Sequence, residues 1–290
     1  MKRIILTLTL ALFTLPIAKA QDIKLNGTTS AESNQIKNVA DPTEAQDAAT
    51  KAYIDAQIAE AVADLQNQIN DLRPLEDVDG NTYDFITYGD QTWSVENAKM
   101  EKYRDGTEIP QVTDATEWEN LTTGAWCYYD NNSSKGKLYN WYAVMGVHDT
   151  DPNTPNKAFA PERWHVPTDA EWTTLENYLT ANGYNYDGTT SGNKIAKAMA
   201  STTGWNSSTV TGAPGKNQSL NNHSGFNAFP EGNRYYNGSF YNEGDIAIFW
   251  SSTENYSNNA WYCNLNYNTS YLIRPNTNKR YGFSVPFVRD

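Results

Sequence analysis

From Asp77 to Asp290 the apolar residues come in short runs, set among closely spaced aromatics and broken by Gly, Asn and Asp. That texture limits the fold more than any other feature. Short runs between turn residues build short strands and small sheets, so this part of the chain reads as β-rich or α+β. The mean hydropathy is -0.70, low enough to raise the question of disorder. Nine Trp and nineteen Tyr answer it, because chains that stay unfolded are poor in aromatics. The stretch VDGNTY is a hairpin signal. Two helices stand out from the turns. In HVPTDAEWTTLENYLTANG, Thr168 and Glu171 form a capping box, Trp172, Leu175 and Leu179 share a face, and Gly183 lies just past the end. A shorter helix is expected around GNKIAKAMAS, with Ile195 and Met199 facing inward; from Thr203 on, the chain reads as loops and strands.

The N-terminal part has a different organisation. Lys2 and Arg3 precede an apolar run from Ile4 to Ala18, and Ala18-Lys19-Ala20 is a small-x-small cleavage site, so residues 1–20 read as a signal peptide. The expected location is outside the inner membrane: extracellular, cell-surface or periplasmic. Residues 21–40 form a polar linker. Over 41–74, Asp41 is a good N-cap, Pro42 suits the first helical position, Glu44 can reach back to the cap, and Pro74 ends the run. Between them Ile54, Ile58, Val62, Leu65, Ile69 and Leu72 recur at 4-4-3-4-3 spacing. This narrow seam predicts a coiled-coil stalk, and hence a homo-oligomer; the alternative is one amphipathic helix packed on its own domain. The string NVADPTEAQDAATKAYIDA is similar to segments preceding trimeric coiled coils in phage tail fibres and bacterial surface fibres, and that resemblance implies three chains.

Charge and motif content exclude several functions. A formal charge of -12, which becomes -15 once Lys2, Arg3 and Lys19 are removed, argues against binding nucleic acid or anionic membrane surfaces. No stretch after the first twenty residues has the ~18 apolar residues of a membrane span. Two Cys and three His leave little material for a metal centre. Asp77, Asp79, Asn81 and Asp84 are spaced like a calcium loop, but Tyr88 stands where the loop needs Glu, which favours a turn. No nucleotide, zinc-protease or nucleophile-elbow motif occurs. His165 reads as structural, and Glu231, Glu243, Asp245 and Glu254 are the loop carboxylates close enough in sequence to suggest a hydrolytic pair. The expectation is no catalytic residue, no metal site and no cofactor.

Six segments then carry a resemblance: DVDGNTYDFITYGDQTWSVENAK, AWCYYDNNSSKGKLYNWYAV, RWHVPTDAEWTTLENYL, GFNAFPEGNRYYNGSF, FWSSTEN and GFSVPFVRD. In this order they resemble the Fibrobacter succinogenes major paralogous domain, over about Asp77 to Asp290. The resemblance implies an α+β, C-type lectin-like fold for residues 75–290: two helices and a small twisted antiparallel sheet under long loops. Family members commonly carry Cys where this chain has Ala160 and Phe287. Cys127 and Cys263 lie elsewhere, as a disulfide in an exported protein or as two buried thiols. The sulfatase-modifying enzymes, similar in their LPT-EAEW helix, use paired cysteines for copper late in the chain; Cys127 is far from Cys263 in sequence, which counts against that activity. The sugar-binding EPN, QPD and WND motifs of calcium-dependent lectins are absent.

The strongest functional signal is compositional. Residues 235–281 hold ten Asn and eight Tyr in forty-seven positions. Tyr offers stiff contact area, and Asn both donates and accepts. In AWYCNLNYNTSYLI, Trp261, Cys263, Leu265 and Tyr267 alternate with Tyr262, Asn264, Asn266 and Asn268, which predicts a strand with one packed and one solvent face. Candidate ligand contacts are Tyr235, Tyr236, Asn237, Tyr241, Asn242, Asn255, Tyr256, Asn258, Asn259, Tyr262, Asn264, Asn266, Asn268 and Tyr271, with Trp250 and Trp261 as scaffold. The region resembles the variable segment of diversity-generating retroelement proteins. The expected function is recognition of a glycan or protein ligand, with a structural fibre subunit or a sulfatase-modifier-like enzyme as rivals.

Overall fold

The computed structural model describes residues 51–72 and 74–289; the expected signal peptide, the expected 21–40 linker and the start of the expected 41–74 stalk lie outside the described residues. The chain divides after Asn70 into two units. The first contributes all but the last residues of α1 (Lys51–Leu72). Its seam residues Ile54, Ile58, Val62, Leu65 and Ile69 are all exposed, at 45 to 57%. No helix among the described residues is long and apolar enough to cross a membrane.

The second unit is a mixed α/β structure of small antiparallel sheets and few helices. β1 (Leu75–Glu76) and β2 (Thr82–Tyr83) pair across the expected turn, with Gly80 at φ +83°. The Asp77 carboxylate accepts from the backbone N–H of Asp79 and Asn81, from the Asn81 amide and from the Tyr83 hydroxyl. This carboxylate therefore closes a turn. β3 (Phe85–Tyr88) and β4 (Gln91–Ser94) follow as a hairpin. Next come α2 (Ala115–Glu119), capped by the Asp114 side chain, the pair β5 (Trp126–Tyr128) and β6 (Lys137–Tyr139), α3 (Trp141–Val144) and β7 (Trp164–His165).

α4 (Asp169–Ala181) starts at the predicted capping box, with both reciprocal bonds between Thr168 and Glu171 formed, and Gly183 past its end is at φ +80°. Trp172, Leu175 and Leu179 are fully buried, as are Ile195 and Met199 around the short α5 (Ala196–Met199). β8 (Asn233–Arg234) pairs with β9 (Phe240–Tyr241). The long β10 (Ile246–Tyr256) and β11 (Asn259–Asn266) form a hairpin extended by β12 (Asn276–Asn278). β13 (Val288–Arg289) inserts between β4 and β7 in the sheet β3-β4-β13-β7, so the end of the chain is tied into the middle of a sheet.

Among the described residues the core has three clusters. β10 runs between two of them and is packed on both faces. Ile248 and Trp250 join one cluster with Tyr139, Trp141, Phe283 and Phe287. Ala247 and Phe249 join the other, with Trp93, Trp172, Phe226 and Cys263. The third cluster packs Val112, Trp118, Cys127 and Leu138.

Candidate binding surface

Arg234 fixes the β8–β9 hairpin in place. Its side chain is fully buried, donates to the carbonyls of Gly238, Val112, Thr113 and Asp114, and lies 4.3 Å from the Trp118 ring centre and 5.0 Å from that of Phe240. The turn it anchors is tight. Tyr235 N–H donates to Ser239 O at 2.7 Å, and the Asn237 side chain accepts from Ser239 N–H at 3.1 Å. Gly238, at φ +83°, leaves no room for a side chain: a Cβ there would lie 2.5 Å from the Ala115 Cα.

On this turn four tyrosines meet. Ring centres of Tyr235 and Tyr281 are 4.5 Å apart, Tyr235 and Tyr236 4.9 Å, Tyr235 and Tyr241 5.5 Å, and Tyr236 and Tyr281 5.7 Å. The ring contacts continue inward from Tyr281 to Phe283 at 5.5 Å and from Phe283 to Trp250 at 4.4 Å. Burial, followed by the hydrogen bond with Tyr235, raises the pKa of the Tyr281 hydroxyl. Tyr236 and Tyr241 remain 41% and 49% exposed. The result is an aromatic platform with a polar rim, seated on the core rather than on a loose loop.

The structure thus brings Tyr235, Tyr236, Asn237 and Tyr241 into one patch. It adds Tyr281, a residue missed at the sequence level, whose only signal was the Tyr enrichment of the region. Other candidates go elsewhere. Asn255, Tyr256, Asn258 and Asn259 lie around the β10–β11 hairpin tip, where Tyr256 is 71% exposed. Asn266, Asn268 and Tyr271 lie at and beyond the other end of β11, seven residue steps or roughly 23 Å along the strand. Asn242 sits at φ +69° with its amide on Asn233, which makes it a turn residue.

Tyr262 and Asn264 require correction. They were expected on a solvent face, but Asn264 is buried and exchanges both backbone hydrogen bonds with Ile273, while Tyr262 packs 5.1 Å from Phe283. The period-two pattern holds for Cys263, Leu265 and Tyr267, which share a packed face, and fails for Trp261, which joins none of the three clusters. It could not show that the second face is also covered by core. Trp250 is fully buried scaffold, whereas Trp261 is only half-buried.

The Cys127–Cys263 disulfide does not form. Both are free, buried thiols on strands that serve different clusters, and burial pushes Cys127 up to about 11 and Cys263 well above its usual range. Three of the four loop carboxylates are occupied: Glu243 pairs with Lys135, Glu254 with Lys279, and Asp245 accepts from the Asn206 amide. His165 faces Glu171 at 2.6 Å, within the capping network. Among the described residues, no three His, Cys, Asp or Glu side chains gather as metal ligands would.

A family model described as the Fibrobacter succinogenes major domain matches residues 86–289. The chain belongs to this family. No curated protein matches it, and no solved structure does. The Fibrobacter succinogenes major domain here starts in β3 and ends in β13, so it contains the tyrosine patch and every sheet except β1–β2. Ala160 and Phe287, where the resemblance led one to expect Cys, are both buried in one cluster, with Phe159 6.2 Å from Phe287. Apolar packing stands at both positions.

Proposed function

We propose that this chain is an exported, non-enzymatic binding protein whose lectin-like domain takes a glycan or protein ligand on the tyrosine patch. The observation that carries this reading is the pairing of exposure with rigidity: Tyr236 and Tyr241 are open to solvent, yet their neighbours Tyr235 and Tyr281 lead back into core packing. Pre-set aromatic surface loses little side-chain freedom on binding. A trimeric coiled coil through residues 41–74 would present three such patches and add avidity to a weak single site. The exposed positions Tyr236, Asn237, Tyr241, Tyr256, Asn258, Asn268 and Tyr271 are those at which a variable segment could change without disturbing the core.

The copper-enzyme alternative loses support, since it needs neighbouring cysteines and the two thiols lie in separate clusters. A glycan and host-protein array of the chain from Gln21 onward, run with and without EDTA, tests the proposal. Hits that survive EDTA and disappear in Tyr236→Ala/Tyr241→Ala are expected. Hits abolished by EDTA would replace it with calcium-dependent capture, and a blank array from a self-associating protein would replace it with a structural subunit.

A further inference from the structure

A cavity of about 230 Å³ lies between the segment after β4 and the loop that leads into β8, and none of its lining residues belongs to the tyrosine patch. Phe226, Phe249 and Pro286 line it as buried residues, while Phe229 is 40% exposed. The polar lining is unusual for its lack of partners. Ser284 is 2% exposed, yet among the described residues nothing hydrogen-bonds its hydroxyl. The Asn97 amide is likewise without a partner among them. Glu231 accepts from Gly136 N–H at 3.2 Å through one oxygen, and its other oxygen has no hydrogen bond from the described residues. Polar groups without a protein partner are completed by solvent or by a ligand.

Gly136 is what lets the carboxyl approach. A Cβ at that position would lie 2.8 Å from the Glu231 Cδ. Burial raises the Glu231 pKa, as expected for a carboxyl lodged beside apolar walls. Two of the cations nearby are committed. Lys137 donates to Lys99 O at 2.6 Å and to Glu101 at 2.8 Å while lying 4.2 Å from the Trp126 ring centre, and the Lys135 ammonium pairs with Glu243. An anion would meet two lining carboxylates, Glu96 and Glu231, while of the lining ammoniums Lys137 is committed and Lys99 lies 5.2 Å from the Tyr83 ring centre. An organic cation would meet a carboxylate already close to Lys135, whose charge acts on it.

The groups left over are an acceptor pair, an amide that both donates and accepts, and a hydroxyl that does the same, set against aromatic walls. We propose that this cavity binds one neutral pyranose residue, with its hydroxyls on Glu231, Asn97 and Ser284 and its C–H face on Phe229. Neighbouring sugar hydroxyls both donate and accept, so each finds a complement here. The small volume fits a single ring better than an extended chain. This site is independent of the tyrosine patch, and either can fail without the other.

Saturation-transfer NMR on the full mature chain tests it, with the methyl glycosides of glucose, galactose, mannose and N-acetylglucosamine as probes and butylammonium and inorganic phosphate as charged controls. At least one glycoside should show saturable transfer. Its affinity should fall about tenfold or more in Glu231→Ala, and also in Gly136→Ala, which displaces the carboxyl without touching it chemically. Asn97→Ala, on a half-buried side chain, provides a third variant should either of the others melt below wild type. Tyr236→Ala/Tyr241→Ala should leave this binding unchanged. Transfer from no glycoside, transfer indifferent to all three cavity variants, or preference for butylammonium or phosphate would each overturn the proposal.

Discussion

The guanidinium of Arg234 lies over the ring of Trp118, 4.3 Å from its centre, and donates to four backbone carbonyls. A fully buried charge without a carboxylate is tolerated only when its donors find acceptors, and four of the five N–H groups of the planar arginine fork meet carbonyls here. Arg234→Lys should leave several of these carbonyls unpaired and cost about 3–5 kcal/mol. That corresponds to a fall of about 10 °C in melting temperature, read by near-ultraviolet circular dichroism. An unchanged melt would show that the hairpin does not depend on the fork.

Tyr262 and Tyr236 separate stability from recognition. Tyr262 packs on Phe283 and lies 6.4 Å from Trp250, so Tyr262→Ala removes core contact and should cost about 3 kcal/mol. Tyr236 is 41% exposed and touches only other patch rings, and Tyr236→Ala should stay within about 0.5 kcal/mol of wild type while weakening ligand capture. Equal losses of melting temperature in the two variants would remove the distinction between scaffold and surface.

The contrast also shows what the sequence could reveal. α4 was legible down to its cap because Thr168, Glu171, Trp172, Leu175 and Leu179 interact within four residues of one another along the helix. The β11 faces were legible as a period, yet their environment was not, since what covers Tyr262 comes from Phe283 and Trp250, far away or on another strand. The tyrosine patch was half legible. Tyr235, Tyr236 and Tyr241 are near in sequence, but Tyr281 reaches them only because Gly282 pairs with Arg234. The lining of the cavity comes from five separate stretches of chain, and no local pattern marks it.

Glu171 gives stability a pH dependence. Burial works against its charge, but hydrogen bonds from His165 and from the backbone and hydroxyl of Thr168 outweigh this and hold its pKa below the ordinary value of 4.5. A carboxyl depressed in the folded state stabilises above its unfolded pKa and loses that contribution as pH falls through the folded value. Melting temperature should therefore drop on acidification below about pH 4.5, and the drop should be smaller in Glu171→Gln. Asp105 and Asp187 are also depressed, first of all by their lysine partners, so the difference between the two proteins is the quantity to read. Parallel curves would mean that the capping network does not sense pH.

The thiols make a chemical prediction. Cys127 and Cys263 are buried and hard to ionise, and only the thiolate attacks a disulfide reagent. Native protein should react negligibly with such a reagent, and unfolded protein should release two equivalents. Reductant should leave the melting temperature unchanged. An oxidised mass, lower by two hydrogens, would instead restore the disulfide expected as one alternative from the sequence.

The helix α1 leaves Ile54, Ile58, Val62, Leu65 and Ile69 about half exposed on one narrow seam. Most of a helix's stability in a protein comes from packing its apolar face, and burying an apolar side chain fully gains ~1.5–3 kcal/mol. Packing this seam against copies of itself supplies what a lone helix lacks, because a knob at every third or fourth position fits the holes of an identical neighbour. Analytical ultracentrifugation of the chain from Gln21 onward should give a trimer at micromolar concentration. Ile58→Asp/Leu65→Asp places charges in the seam and should return the protein to monomer, with the melt of the 71–290 unit unchanged. A wild-type monomer would sink the trimer, and with it the avidity that a weak tyrosine patch requires.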